Sequence, residues 1–172
     1  MLPQPVKRTT YLLGKYIASV VMTATAMGIY YVMVIALSLG IIGSVPGAIV
    51  VLFGFVVLYG AAVCAVALLF SSILRTNTAA IVTTFLTLLM VMTIIASVLS
   101  LSNADPIFIA SNAAGVISYS LQSPYPVTHS SMVGDMSSTT FIPSESGAAL
   151  VLFAYVVISL LAATVMFRRK QF

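Results

Sequence analysis

The chain has 172 residues, of which 61% are hydrophobic and only 6% charged, against roughly a quarter charged in an ordinary soluble domain. Its mean hydropathy of +1.18 excludes a water-soluble globule, because a fold of this size leaves about a third of its chain's surface exposed, and excludes a disordered chain, which would be poor in apolar residues. The net charge of +4 does not point to nucleic acid, because the basic residues sit at the ends of apolar runs with no interleaved aromatics to stack bases.

The natural solvent is a lipid bilayer, and at about 20 residues per span the chain has room for four. The first apolar run covers 16–39 and stops at a turn made by Gly40, Gly43, Ser44, Pro46 and Gly47, since Gly and Pro punctuate helices. A second run covers 48–70, and residues 71–78 form a polar connection around Arg75. A third run covers 79–101, a Ser/Thr-rich region follows over 102–146, and a last run covers 147–167 before Arg168, Arg169 and Lys170. A lone span must satisfy its own backbone hydrogen bonds, which only a helix does, and the alternation of a membrane barrel is missing. The expectation is an all-α integral membrane helical bundle. It is a single transmembrane domain over 1–172, with four transmembrane helices and a long external loop containing a short helix.

Within that external region Asp105-Pro106 has the form of a helix start, a cap residue followed by proline. This predicts a short helix over 107–121 that lies in or dips into the membrane interface. Residues 128–146 read as a Ser/Thr-rich loop, either a spacer or a lid. Lys7, Arg8, Lys15, Arg75, Arg168, Arg169 and Lys170 fall on one side of this arrangement and Asp105, Asp135 and Glu145 on the other. The positive-inside rule then places both termini in the cytoplasm. Ala24-Thr25-Ala26 has the form of a signal cleavage site, but the apolar run continues well past it, as an uncleaved span does.

The span cores hold no Asp, Glu, Lys, Arg or His, which argues against ion-coupled carriers, since these usually carry an intramembrane ionisable group. The same lack excludes intramembrane aspartyl and metalloproteases. Cys64 is a lone cysteine, read as a packing residue, and His129 has no neighbouring ligand motif. Gly14-Lys15 runs into Tyr16, so there is no phosphate loop. No catalytic, cofactor or metal site is expected. Thr83, Thr87, Thr93, Ser97 and Ser100 fall on one side of the third helix at about 100° per residue. The preferred reading is contact with a neighbouring helix, and the sharper one is a weakly polar wall of a translocation path. Tyr30, Tyr31 and Tyr59 sit near mid-span, where phenols face protein or a cavity rather than lipid. Tyr30, Tyr31, Tyr59, Thr83, Thr87, Thr93 and Ser97 are therefore the candidate path-lining residues. Gly60 with Cys64, and Ala61 with Ala65, give small residues suited to close helix approach.

The segment Pro5-Val6-Lys7-Arg8-Thr9-Thr10-Tyr11-Leu12-Leu13-Gly14-Lys15 resembles the "P-x-(S/K)-R-x-x-(Y/F)-L-L-G-K" segment of ABC transporter permeases of the type-2 exporter family. In that family the segment follows a cytoplasmic helix docked on the ATP-binding subunit and precedes the third of six spans. Residues 69–80, LFSSILRTNTAA, are similar to the family's connection between its fourth and fifth spans. The long external region and the closing Phe167-Arg168-Arg169-Lys170 also fit. The resemblance implies a permease subunit, or the C-terminal part of one, of an ATP-driven exporter in a prokaryotic cell membrane. ATP hydrolysis would lie in a separate ATP-binding-cassette ATPase, so the chain itself is not expected to be an enzyme. A second permease chain or a second copy would complete the path. Pro5, Lys7, Arg8 and Lys15 are the docking candidates, with lipid-headgroup anchoring as their simpler role. The family's elbow helix and first two spans have no counterpart here. This predicts a fragment, a truncated product or a subunit completed by another chain, and keeps open a non-transport scaffold or accessory subunit.

Overall fold

A computed structural model of the chain describes residues 8–45, 47–74, 76–102, 105–120, 125–126, 129–133 and 136–169. Helix α1, Arg8–Ile42, has 35 residues and is about 52 Å long, well beyond the roughly 30 Å apolar thickness of a bilayer. It begins eight residues before the apolar run, so residues 8–15 form its first two turns rather than a loop. It ends where Gly43 takes φ +73°, a left-handed conformation open to glycine without a Cβ penalty. Ser38 closes this turn by donating to the Ser44 carbonyl at 2.9 Å.

Helix α2, Ala48–Ile73, stops at an extended Leu74. Thr76 then caps the next helix, its hydroxyl accepting the Ala79 N–H. That third span is α3 (Asn77–Leu86), a π-helical turn (Thr87–Val91) and α4 (Met92–Leu101) in unbroken succession. The last long helix, α7, covers Glu145–Arg169. Its first turn is held by the Ser144 hydroxyl, which accepts the Gly147 N–H at 3.3 Å, and Glu145 sits where the helix dipole favours an acid. Four helical stretches are long and apolar enough to cross a membrane: Thr10–Ile41, Ala48–Ile73, Asn77–Ser100 and Glu145–Met166.

The region between the last two spans is more structured than a loop. Asp105 accepts the Ile107 N–H at 3.1 Å, and Ile109 donates to the Pro106 carbonyl at 2.9 Å. The single helix expected over 107–121 is instead two short ones, α5 (Ala110–Ala113) and α6 (Val116–Tyr119). The break falls at Gly115, whose N–H turns back to the Asn112 carbonyl at 2.9 Å. A Cβ there would lie 2.9 Å from that oxygen, so the tight turn requires glycine. Beyond it, β1 (His129–Val133) and β2 (Met136–Thr140) pair as an antiparallel hairpin. Extended pairing satisfies the backbone of this Ser/Thr-rich stretch, where the sequence suggested an unstructured loop.

Helix α2 is the hub, touching α1, α3, α6 and α7, and its longest contact is with α7. One buried cluster joins Ala62 of α2, Ala113 and Val116 of the short helices, and Ala148 and Leu152 of α7. Phe55, Leu58, Tyr59, Val151, Tyr155 and Val156 pack around it. Positions 55–59 lie about 10–16 Å along α2, so α5 and α6 tuck into the bundle as a cap rather than resting on its surface. The approach is close: a Cβ at Gly147 would stand 2.9 Å from Ile107 Cδ1.

Candidate functional site

A concave feature lies between α1, α2 and the α3–π segment. It is a groove of about 650 Å³, within the roughly 300–1,000 Å³ typical of small-molecule sites. Lys15 and Ser71 stand at one end, where a smaller recess adjoins it, and Ser19, Asn77, Tyr59, Cys64 and Thr84 add polar atoms along the wall. The rest of the wall is mainly apolar, including Val63, Leu68, Phe85, Leu88 and Leu89. Among the described residues no carboxylate lines it.

A polar stripe on α1 sets one wall. Tyr16, Ser19 and Thr23 recur at helical spacing and turn toward α2. The Tyr16 phenol donates to the Ala61 carbonyl at 3.2 Å. Ser19 donates to the Tyr16 carbonyl at 2.8 Å and Thr23 to the Ser19 carbonyl at 2.9 Å. The Thr23 hydroxyl also stands 3.6 Å from Cys64 Sγ. Gly60 permits the approach, since a Cβ there would lie 3.0 Å from Thr23 Cγ2. Cys64 is half-buried in the groove wall, beside Thr23. On the opposite wall the Thr84 hydroxyl is buried and donates to the Ala80 carbonyl at 2.7 Å.

At the polar end a smaller recess joins Tyr11, Leu12 and Lys15 to Leu68, Ser71 and Ser72. Leu12 is buried there while Leu13, its neighbour, is exposed. Tyr11, Leu12 and Lys15 belong to the segment 5–15, and Leu68, Ser71 and Ser72 sit at or beside 69–80, so the two segments that carry the family resemblance converge at this end. Of the docking candidates, Lys15 lies in this recess and in the groove. Arg8 opens α1 but its side chain is outside the described residues, as are Pro5 and Lys7 altogether.

The path-lining candidates separate into three places. Tyr30 and Tyr31 make an edge-to-face pair at 5.7 Å, and Tyr31 makes another with Phe53 of α2 at 5.5 Å. That aromatic contact joins α1 to α2 outside the groove. Tyr59 alone of the three phenols lines the groove, with its flank against the buried cluster. The hydroxyls of the third span do not share one face. Ala80, Thr84, Leu88, Met92, Ala96 and Leu99 form its more buried line. Thr83 and Thr87 precede members of that line by one residue, whereas Thr93 and Ser97 follow them by one, about 100° to either side. The π turn makes the difference, because it accommodates one extra residue per turn and cancels the drift that a straight helix would show. Thr83 and Thr87 are half-buried, Thr93 and Ser97 exposed. Ser97 and Ser100 donate to carbonyls of their own helix, Thr93 and Ser97, at 2.9 and 2.8 Å.

Sequence reasoning missed Ser19, Asn77 and Thr84 as groove-lining residues. The 16–19–23 stripe was the available signal for the α1 wall. Thr84 and Asn77 carried none, since a helix face turned to lipid and one turned to protein are equally apolar in sequence. Among the described residues no group of His, Cys, Asp and Glu could hold a metal ion.

A family model described as ABC-2 family transporter protein matches residues 1–172, the whole sequence. No curated protein matches the chain, and no solved structure does.

Proposed function

Because the chain belongs to the ABC-2 family of transporter proteins, a multi-pass membrane component of ABC transporters, we propose that it is the permease subunit, or part of one, of an ATP-driven exporter. In this reading a separate ATP-binding-cassette ATPase hydrolyses ATP, and a second permease chain or a second copy completes the path. The observation that carries it is the family match over the full sequence. The convergence of Tyr11, Leu12 and Lys15 with Leu68, Ser71 and Ser72 supports it, because it gathers both family-like segments into one surface that a partner could contact.

That end faces the cytoplasm of a prokaryotic cell in this proposal, with both termini on the same side. The support is charge: Lys15 lies there, while Asp105 and Glu145 lie at or beside the cap, the asymmetry expected of positive-inside topology. Pro5, Lys7, Arg8 and Lys15 are assigned to ATPase docking. Tyr30, Tyr31, Tyr59, Thr83, Thr87, Thr93 and Ser97 are assigned to the path or its supporting walls. Because the pairs Thr83/Thr87 and Thr93/Ser97 lie on opposite flanks, one continuous wall of the third span takes one pair and not both.

The test is co-purification. A tagged chain drawn from gently solubilised native membranes should bring an ATP-binding-cassette ATPase in stoichiometric amount, and Lys7→Glu with Arg8→Glu should release it while leaving the chain inserted. Recovery without any ATPase would refute the exporter reading and return the chain to a scaffold or accessory role. Retention of the ATPase by the double variant would refute the docking assignment alone.

A further inference from the structure

The groove between α1, α2 and α3 includes Tyr59 of the path set and Lys15 of the docking set, and Lys15 is the charged group among its described lining residues. Lys15 and Ser71 stand at one end, and an apolar wall including Leu68, Phe85 and Leu88 fills most of the rest. Hydroxyls alone would also suit a neighbouring helix, so the Lys15 cation is the feature that selects the occupant. A cation at one end followed by an apolar channel is complementary to an amphiphile with an anionic head and a hydrocarbon tail. The helix termini reinforce this. The Thr76 hydroxyl and carbonyl take the N–H groups of Ala79 and Ala80, and the N–H groups of Asn77 and Thr78 belong to the first turn, which has no intrahelical acceptors. These donors lie at the positive end of the α3 dipole, on the same side of the groove as the Lys15 ammonium. Among the described residues no carboxylate competes for that cation along the groove.

We propose that this groove seats one acyl chain of an anionic phospholipid from the leaflet at the basic end of the bundle. The headgroup phosphate lies between Lys15 and the first turn of α3, and the chain runs along Leu68, Cys64 and Phe85. The lipid is a bound component of the fold, and the site does not depend on the exporter reading. Lys15 also belongs to the proposed docking set, so the experiment uses the isolated full-length chain with no ATPase present, and its failure leaves the docking assignment untouched.

Cys64, the chain's one cysteine, lies in the groove wall and serves as the reporter. The chain in detergent is titrated with palmitoyl-oleoyl phosphatidylglycerol or the matching phosphatidylcholine, and the rate of Cys64 alkylation by N-ethylmaleimide is followed. Phosphatidylglycerol should slow alkylation about fivefold more than phosphatidylcholine, the factor that one lysine–headgroup contact supplies. Lys15→Gln should erase that difference and Lys15→Arg keep it. Native mass spectrometry of the unaltered chain should show one phosphatidylglycerol retained in preference to phosphatidylcholine, which holds the test even if a variant folds poorly. Equal protection by both lipids would overturn the proposal. So would protection by inorganic phosphate alone, which marks a free-anion site, or protection that rises with chain concentration without lipid, which marks a second copy in the groove.

Discussion

The contact of α1 with α2 forms one side of the groove, and a single substitution tests it. Thr23→Cys places a second sulfur where the Thr23 hydroxyl now stands 3.6 Å from Cys64 Sγ. A disulfide needs about 2 Å between sulfurs, and a change of χ1 on either side chain covers the remainder without moving the helices. The bond would close a loop of about 40 residues, for which the chain-entropy relation gives about 4 kcal/mol at 25 °C. A bilayer already confines the unfolded spans, so the gain there is smaller, and a rise in melting temperature of about 5–15 °C is the upper range for a chain of this size. The assay introduces a protease site into the turn at 43–47. After mild oxidation and cleavage, the two fragments of Thr23→Cys should stay together on a non-reducing gel and separate on reduction. Ile29→Cys, whose side chain is exposed, should not link, and Cys64→Ser should abolish the link in Thr23→Cys. Separation of the Thr23→Cys fragments under oxidising conditions, or equal linking by Ile29→Cys, would refute the α1–α2 placement and the groove with it.

Three further outcomes are expected. Leu152→Ala removes a fully buried side chain at the α2–α7 contact; in water such a change costs about 2–5 kcal/mol, and in lipid only its packing part remains because the tails are themselves apolar, so a loss of about 1–3 kcal/mol in a denaturant titration is expected. Tyr125→Phe deletes the hydroxyl that donates to the Pro143 carbonyl and should loosen the cap by about 1 kcal/mol, read as faster proteolysis between α4 and α7. Burial first, and then the neighbouring Glu145 and Tyr119, hold the Tyr125 phenol above its ordinary pKa of 10.0, so its bond persists at neutral pH and is lost only as pH rises through that raised value. Deleting Leu89 from the π turn should be tolerated, because the turn relaxes to an α-helix with both halves of the span in place; deleting Ile95 from α4 rotates everything beyond it by about 100° and should lower the yield of monodisperse protein, and equal effects of the two deletions would show that the π turn carries no register.

The sequence by itself determined how many helices are long and apolar enough to cross a membrane and which segments carry the cations. These are properties of single residues: a run of apolar side chains partitions into lipid whatever its neighbours, and Gly43, Thr76 and Ser144 mark helix ends through their own backbone and hydroxyl chemistry. The segments 5–15 and 69–80 could also be read as a family resemblance without any structure. Which face of each helix is buried was a different matter. In water a buried stripe stands out against a polar face, but lipid tails and a protein neighbour are equally apolar, so Leu12 and Leu13, or Thr84 and Thr83, look alike in the sequence. Only the tertiary structure made α2 the hub, folded α5 and α6 into the bundle, and set Thr93 and Ser97 apart from Thr83 and Thr87 through one π turn. Helix packing is a property of pairs, and the pairs Tyr16 with Ala61, Thr23 with Cys64 and Ile107 with Gly147 exist only once the chain has folded.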